Sequence, residues 1–125
     1  MIPKTLAEVA ELAASGESFD LSMADFLDGF FWNPSQAALA ASPKRLAGAL
    51  PQGEVADAYL AAAAEWLAWK FNLQPPKWAF EEDRALRRPW FASQLASLRA
   101  VLLWESPAPF RSRNLFVSAN ALNRA

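Results

Sequence analysis

The chain has 125 residues, no cysteine, no histidine, 27 alanines, and a net charge of −1 from 12 basic and 13 acidic side chains. These counts exclude disulfides, thiolate nucleophiles, cysteine zinc sites, and imidazole as a metal ligand or neutral-pH base. A hydrophobic fraction of 54% over this length suits one core, so residues 1–125 read as a single compact helical domain.

Met1-Ile2-Pro3-Lys4 runs into Glu8 and Glu11, where a secretory leader would need an uninterrupted apolar stretch. The expectation is a cytoplasmic chain whose N-terminus is that of the mature protein. Thr5 followed three residues later by Glu8 is a capping box, and Leu6, Val9, Ala10 and Ala13 recur at helical spacing up to Gly16. That predicts a first helix over about Leu6 to Ser15, with Gly16 as the left-handed residue beyond it. Ser22 with Asp25 marks a second start, followed by Met23, Phe26, Leu27, Phe30 and Phe31 and closed by Asn33-Pro34.

Residues 34–52 read as short Ala-rich helices opened by Pro34 and Pro43. From about Gly53 to Asn72, the residues Ala56, Tyr59, Leu60, Ala63, Trp66, Leu67 and Phe71 form a stripe, with Glu54, Asp57, Ala61, Glu65 and Ala68 elsewhere on the wheel. This is the expected central helix. Asp57, Glu65 and Lys70 interrupt its apolar run, so it does not read as a membrane span. Gln74-Pro75-Pro76 ends it. Pro89-Trp90-Phe91 then opens a predicted helix through about Glu105, with Leu95, Leu98, Val101 and Leu102 as its stripe and Leu103 and Trp104 widening the arc. Ser106-Pro107-Ala108-Pro109 breaks that helix, and Ser118 is placed to cap a short last one, Ala119 to Arg124. The predicted fold is all-α: five or six helices with short Pro-rich connections, built around the 53–72 and 90–105 pair. Leu115-Phe116-Val117 is the one β-like triplet.

Charge is unevenly distributed. Residues 1–41 set Lys4 against six carboxylates, whereas residues 84–125 set seven arginines against Glu105 alone. The two ends can neutralise each other, or the basic end can face an acidic partner. Four glycines form no phosphate loop or dinucleotide fingerprint, and no Gly-x-Ser-x-Gly elbow occurs. Neither a cofactor nor a metal site is predicted. Asp25 with Asp28, or Glu81-Glu82-Asp83, could hold Mg²⁺ or exchange protons, but an i, i+3 acidic pair is ordinarily a solvated helix face.

Arginines beside aromatics mark protein interfaces, because guanidinium forks bind carboxylates and large rings supply contact area. On that ground Arg84, Arg88, Trp90, Phe91, Arg111 and Arg113 are the expected partner-binding residues. The leading reading is a non-enzymatic module that binds another protein. Two alternatives are a nucleic-acid-binding or regulatory protein using the basic last third, and an enzyme relying on carboxylates and arginine. The acidic overall balance and the absence of a helix-turn-helix or RNA-binding signature weigh against the first of these.

Three stretches carry a resemblance: Ala63-Ala64-Glu65-Trp66-Leu67-Ala68, Arg88-Pro89-Trp90-Phe91, and the run from Glu105-Ser106-Pro107 through Phe110-Arg111-Ser112-Arg113-Asn114-Leu115-Phe116-Val117 to Leu122. Over residues 53–125 the chain resembles small bacterial helical proteins on the antitoxin side of toxin–antitoxin pairs. What that resemblance implies is an antitoxin that neutralises a toxin partner by binding it. The first 50 residues depart from the regulator members, with no DNA-reading helix pair.

Overall fold

A computed structural model describes residues 1–93 and 95–124. In chain order its elements are α1 (Leu6–Ala14), α2 (Phe19–Trp32), α3 (Ala37–Ala40), α4 (Gly53–Lys70), two 3₁₀ turns (Lys77–Phe80 and Glu82–Arg84), β1 (Trp90–Phe91), α5 (Ala96–Glu105), α6 (Ala108–Arg111) and β2 (Leu115–Phe116). The fold is all-α.

Thr5 Oγ1 accepts from the Glu8 N–H at 3.0 Å, and Glu8 reaches back to the Lys4 N–H at 2.8 Å, one residue earlier than a strict capping box. At the other end of α1, Gly16 (φ 108°) donates to Ala13 and Glu17 donates to Leu12, a Schellman closure. Helix α2 begins four residues before the Ser22 start expected above. Ser18 is the cap, accepting from the Leu21 N–H at 3.2 Å, and Ser22 is buried inside the helix. Starting at Phe19 sets that ring edge-on to Tyr59, 5.9 Å away, which an extended segment would not.

The helix expected at Pro43 does not form. Its backbone groups have other partners: the Leu46 and Ala47 N–H groups donate to the Asp57 carboxylate, and the Pro43 carbonyl accepts from Arg84. This irregular stretch lies against the start of α4, where a Cβ on Gly53 would lie 1.9 Å from the Leu46 carbonyl oxygen. Only glycine fits there.

Helix α4 is central, as predicted, but it has no free polar side. Leu60 and Leu67 are buried on one flank, and so are Asp57, Ala61, Glu65 and Ala68 elsewhere on the wheel, while Glu54 at the first turn is exposed. The second flank is covered by the 3₁₀ turns and by the α6–β2 segment. The thin faces of Ala61 to Ala64 let these elements come close, and their two arginines supply the countercharges for Asp57 and Glu65.

The C-terminal third departs most from expectation. Trp90-Phe91 is not the first turn of a helix but a short strand, paired in parallel with Leu115-Phe116. Pro89 has no N–H to give, while Trp90 and Ala92 donate to the carbonyls of Asn114 and Phe116 at 2.9 and 3.0 Å. The Phe91 and Phe116 rings stack at 5.0 Å. Helix α5 therefore starts at Ala96, and it packs on β2 rather than on α4, so the expected helix pair at the core is replaced by α4 with its surrounding turns. After Ser118 the chain makes turns instead of a last helix, though Leu122 still enters the core.

Candidate functional site

The six residues singled out from the sequence separate into two groups. Arg84 is fully buried: its guanidinium lies 4.9 Å from the Trp78 ring centroid and 3.8 Å from the Asp57 carboxylate, and it donates to the Pro43 and Asp57 carbonyls. Burial is the main influence lowering its pKa, with repulsion from Arg45 second. Arg113 is also internal, donating to Glu65 at 2.7 Å and to the carbonyls of Pro109 and Ala79 at 2.7 and 2.8 Å. Both residues thus leave the partner-facing set, because their guanidinium groups are buried and bonded inside the fold, although Arg84 Nε is buried without a hydrogen-bond partner. They are clamps that fasten the C-terminal third to α4.

Arg88 and Arg111 are exposed and, among the described residues, form no ion pair. Trp90 and Phe91 are half-buried in the β1 strap. Arg88 and Trp90 line an open cleft of about 1280 Å³ together with Arg45, Glu54, Glu82 and Arg87. Phe91 lies instead beneath α5, with the Arg99 guanidinium 5.3 Å from its ring centroid.

Two carboxylates of the acidic cluster, Glu81 and Asp83, are held by Arg45. That guanidinium donates to Asp83 through two nitrogens at 2.8 Å and to Glu81 at 2.8 Å, and the Asp83 contact keeps the Asp83 carboxyl below its usual range. Asp28 pairs with Arg124 at 3.1 Å. Together with Asp57–Arg84 and Glu65–Arg113, this links the acidic front and middle of the chain to its basic end. A second groove of about 480 Å³ lies between α2 and the start of α4, lined by Phe19, Met23, Leu27, Tyr59 and Trp90 with Asp20 at its edge. Among the described residues there is no group of three or more carboxylates placed to hold a metal.

The surface that composition alone did not single out is α5. At about 100° per residue, Ala96, Ser97, Ala100, Leu103 and Trp104 fall on the half of the helix opposite the buried Leu102. All five are exposed, Trp104 to 87% and Leu103 to 49%, with Val101 at the margin at 48%. The helix's two charges lie on the other half and turn back onto the chain. Arg99 sits over Phe91, and Glu105 accepts from the Ala119 N–H at 3.3 Å. The outward half of this helix is therefore uncharged, although Arg99 on the other half is itself exposed.

Its position is firmly set. Ser106, buried just past the helix end, accepts from the Val117 N–H at 2.7 Å while its hydroxyl lies 2.6 Å from the Leu102 carbonyl and 2.8 Å from that of Val117. The signal in the sequence was the Leu102-Leu103-Trp104 run beside Leu98 and Val101, an apolar arc too wide for one buried stripe. No helix among the described residues is long and apolar enough to cross a membrane. No family model, curated protein or solved structure matches this chain.

Proposed function

We propose that this chain is a non-enzymatic protein-interaction module of the bacterial cytoplasm whose docking element is α5 with the neighbouring β1 strap. The observation that carries the reading is the uncharged, solvent-facing half of α5, anchored at Ser106 and crowned by Trp104 at 87% exposure. A monomer gains nothing from holding that ring in water, and exposed aromatics on a rigid element are the common anchors of protein contacts. Arg88 and Arg111, the two partner-binding candidates still free at the surface, suit carboxylates at the edge of an acidic partner.

Within this reading the antitoxin role implied by the sequence resemblance is the specific proposal: the chain neutralises a toxin by covering it. The nucleic-acid alternative is weakened, because Arg84, Arg113 and Arg124 are committed to carboxylates within the fold. The test is co-expression with the product of the adjacent gene, read as growth and as co-elution in a stoichiometric complex. The complex should weaken at least about tenfold in Trp104→Glu or in Arg88→Glu/Arg111→Glu, with unfolding unchanged. No complex, or one indifferent to both variants, refutes the reading.

A further inference from the structure

The groove between α2 and the start of α4 shares no residue with α5 and has no role in the docking reading above. Its volume of about 480 Å³ falls within the range of small-molecule sites, and its walls have the usual make-up of one. Three half-buried rings, Phe19, Tyr59 and Trp90, line it together with Met23 and Leu27. Tyr59 is fixed in place between two rings, with Phe19 at 5.9 Å and Phe110 at 5.1 Å, both edge-on. Among the described residues its hydroxyl has no hydrogen-bond partner. A largely buried tyrosine ordinarily finds one, so this hydroxyl is left to serve whatever enters the groove.

The charge at the mouth has a definite sign. Asp20 and Arg124 both line the groove, but Arg124 is met by Asp28 at 3.1 Å, whereas Asp20 has no ion pair among the described residues. The positive ends of α2 and α4 also open here, each carrying about half a unit of charge. Each has a full carboxylate in its first turn, Asp20 and Glu54, so the surplus is negative. Tyr59 registers the same balance. Burial is the main cause that holds its proton on, Asp20 acts in the same direction, and Arg124 opposes them by less than Asp20 adds.

We propose that this groove binds a small organic cation with an apolar body, an aralkyl ammonium, its body against Phe19, Met23 and Tyr59 and its nitrogen at Asp20. The body leaves water for an apolar wall. The ammonium stays at the mouth, where it donates to the Asp20 carboxylate and to the Tyr59 hydroxyl, and the rings attract it through their quadrupoles. A neutral molecule of the same shape gains only the apolar contact, and an anion meets the unpaired carboxylate. The proposal goes beyond the docking reading of α5 and stands or falls separately from it.

The experiment uses the purified full chain and three soluble probes that share a phenyl ring: 2-phenylethylamine, 2-phenylethanol and phenylacetate. The chain has two methionines, so ¹³C-methyl labelling gives two signals, Met23 in the groove and Met1 at the exposed N-terminus. The amine should shift Met23 through its ring current and saturate with a Kd of about 1 mM or tighter, leaving Met1 in place. The alcohol should bind at least about fivefold more weakly, and phenylacetate more weakly still. Asp20 is exposed, so Asp20→Asn should melt as the unaltered chain does. In that variant the amine should weaken at least about threefold, with the alcohol unchanged.

No shift of Met23 with any probe up to about 20 mM overturns the proposal. An alcohol that binds as tightly as the amine overturns it as well, since the groove would then be an apolar hollow without preference for a cation. Tightest binding of phenylacetate would give the site to Arg124 and refute the assignment of charge. An amine affinity indifferent to Asp20→Asn refutes the role of Asp20 and with it the proposal.

Discussion

Replacing Asp57 with alanine should be the most destabilising of the conservative-looking changes in this protein, although Asp57 faces no ligand. The carboxylate accepts from the Leu46 N–H at 2.7 Å and the Ala47 N–H at 3.0 Å, and it lies 3.8 Å from the Arg84 guanidinium. Both side chains are at most 1% exposed. Removing one member of a buried pair costs about 3–5 kcal/mol, because the remaining charge is left without compensation. Orphaning a buried N–H adds about 1–3 kcal/mol. The two effects overlap, since relaxation around Arg84 would also move the 43–47 segment. A net loss of about 4 kcal/mol is expected, a large share of the roughly 5–15 kcal/mol by which a domain is stable. With a urea slope of about 2 kcal/mol per M, the unfolding midpoint should drop by about 2 M. Asp57→Asn keeps one acceptor oxygen and should lose about half as much. In Asp57→Ala/Arg84→Met the stranded cation is gone as well, so the double variant should be more stable than the sum of the single losses by at least about 1 kcal/mol. A loss below about 1 kcal/mol in Asp57→Ala, or strict additivity in the double variant, would refute the argument that this pair fastens the 43–47 and 82–84 segments to α4.

Gly53→Ala should destabilise by at least about 2 kcal/mol in the same urea assay, because the added Cβ falls 1.9 Å from the Leu46 carbonyl oxygen, a backbone atom held in place by Asp57. At the end of α4, Asn72 has φ 56° in a Schellman closure in which Leu73 donates to Ala68 at 2.7 Å; Asn72→Gly should raise the melting temperature by a few degrees and Asn72→Ala should lower it. Ser106→Ala should cost about 1–3 kcal/mol and, in hydrogen exchange, should speed the Val117 amide, whose N–H loses its acceptor. Burial, reinforced by Asp20, pushes the Tyr59 hydroxyl up to about 12. As the only tyrosine, it should titrate near that value by absorbance in the folded chain and near 10 in urea. Between those values the unfolded state has lost the proton that the folded state keeps, so the contribution of Tyr59 to stability is complete below pH 10 and falls as pH rises towards 12. Titration at 10 in the folded chain would contradict the burial.

Most of the helices were legible in the sequence because their signals are local. Thr5-x-x-Glu8 with Gly16, the aromatic stripe of α2 and the long periodic run of α4 each depend on neighbours within a turn or two. The errors fall where a distant segment supplies the backbone's partner. Pro43 opens no helix because Asp57 and Arg84 take up the hydrogen-bonding groups around it. Trp90-Phe91 is a strand because Asn114 and Phe116, distant in sequence, accept from the N–H groups of Trp90 and Ala92. The same cause divides the candidate residues: nothing within a few positions of Arg84 or Arg113 shows that Asp57 and Glu65 lie opposite them, and so nothing local distinguishes them from Arg88 and Arg111.

Composition and periodicity by themselves determined that this chain is α-helical with a buried central helix, and that it carries neither thiol nor imidazole. They also determined that an acidic front and an arginine-rich end had to be balanced somehow. Only the tertiary structure decided how: Arg84 and Arg113 turn inward onto Asp57 and Glu65, because a buried charge needs its counter-ion within a few ångströms whatever their separation in sequence, while Arg124 meets Asp28 at the surface. It also decided which apolar residues remain outside. Periodicity defines a stripe on α5 but not the side that meets the body, and that was set by the packing of Leu102 and the Ser106–Val117 hydrogen bond, which leave Trp104 facing solvent.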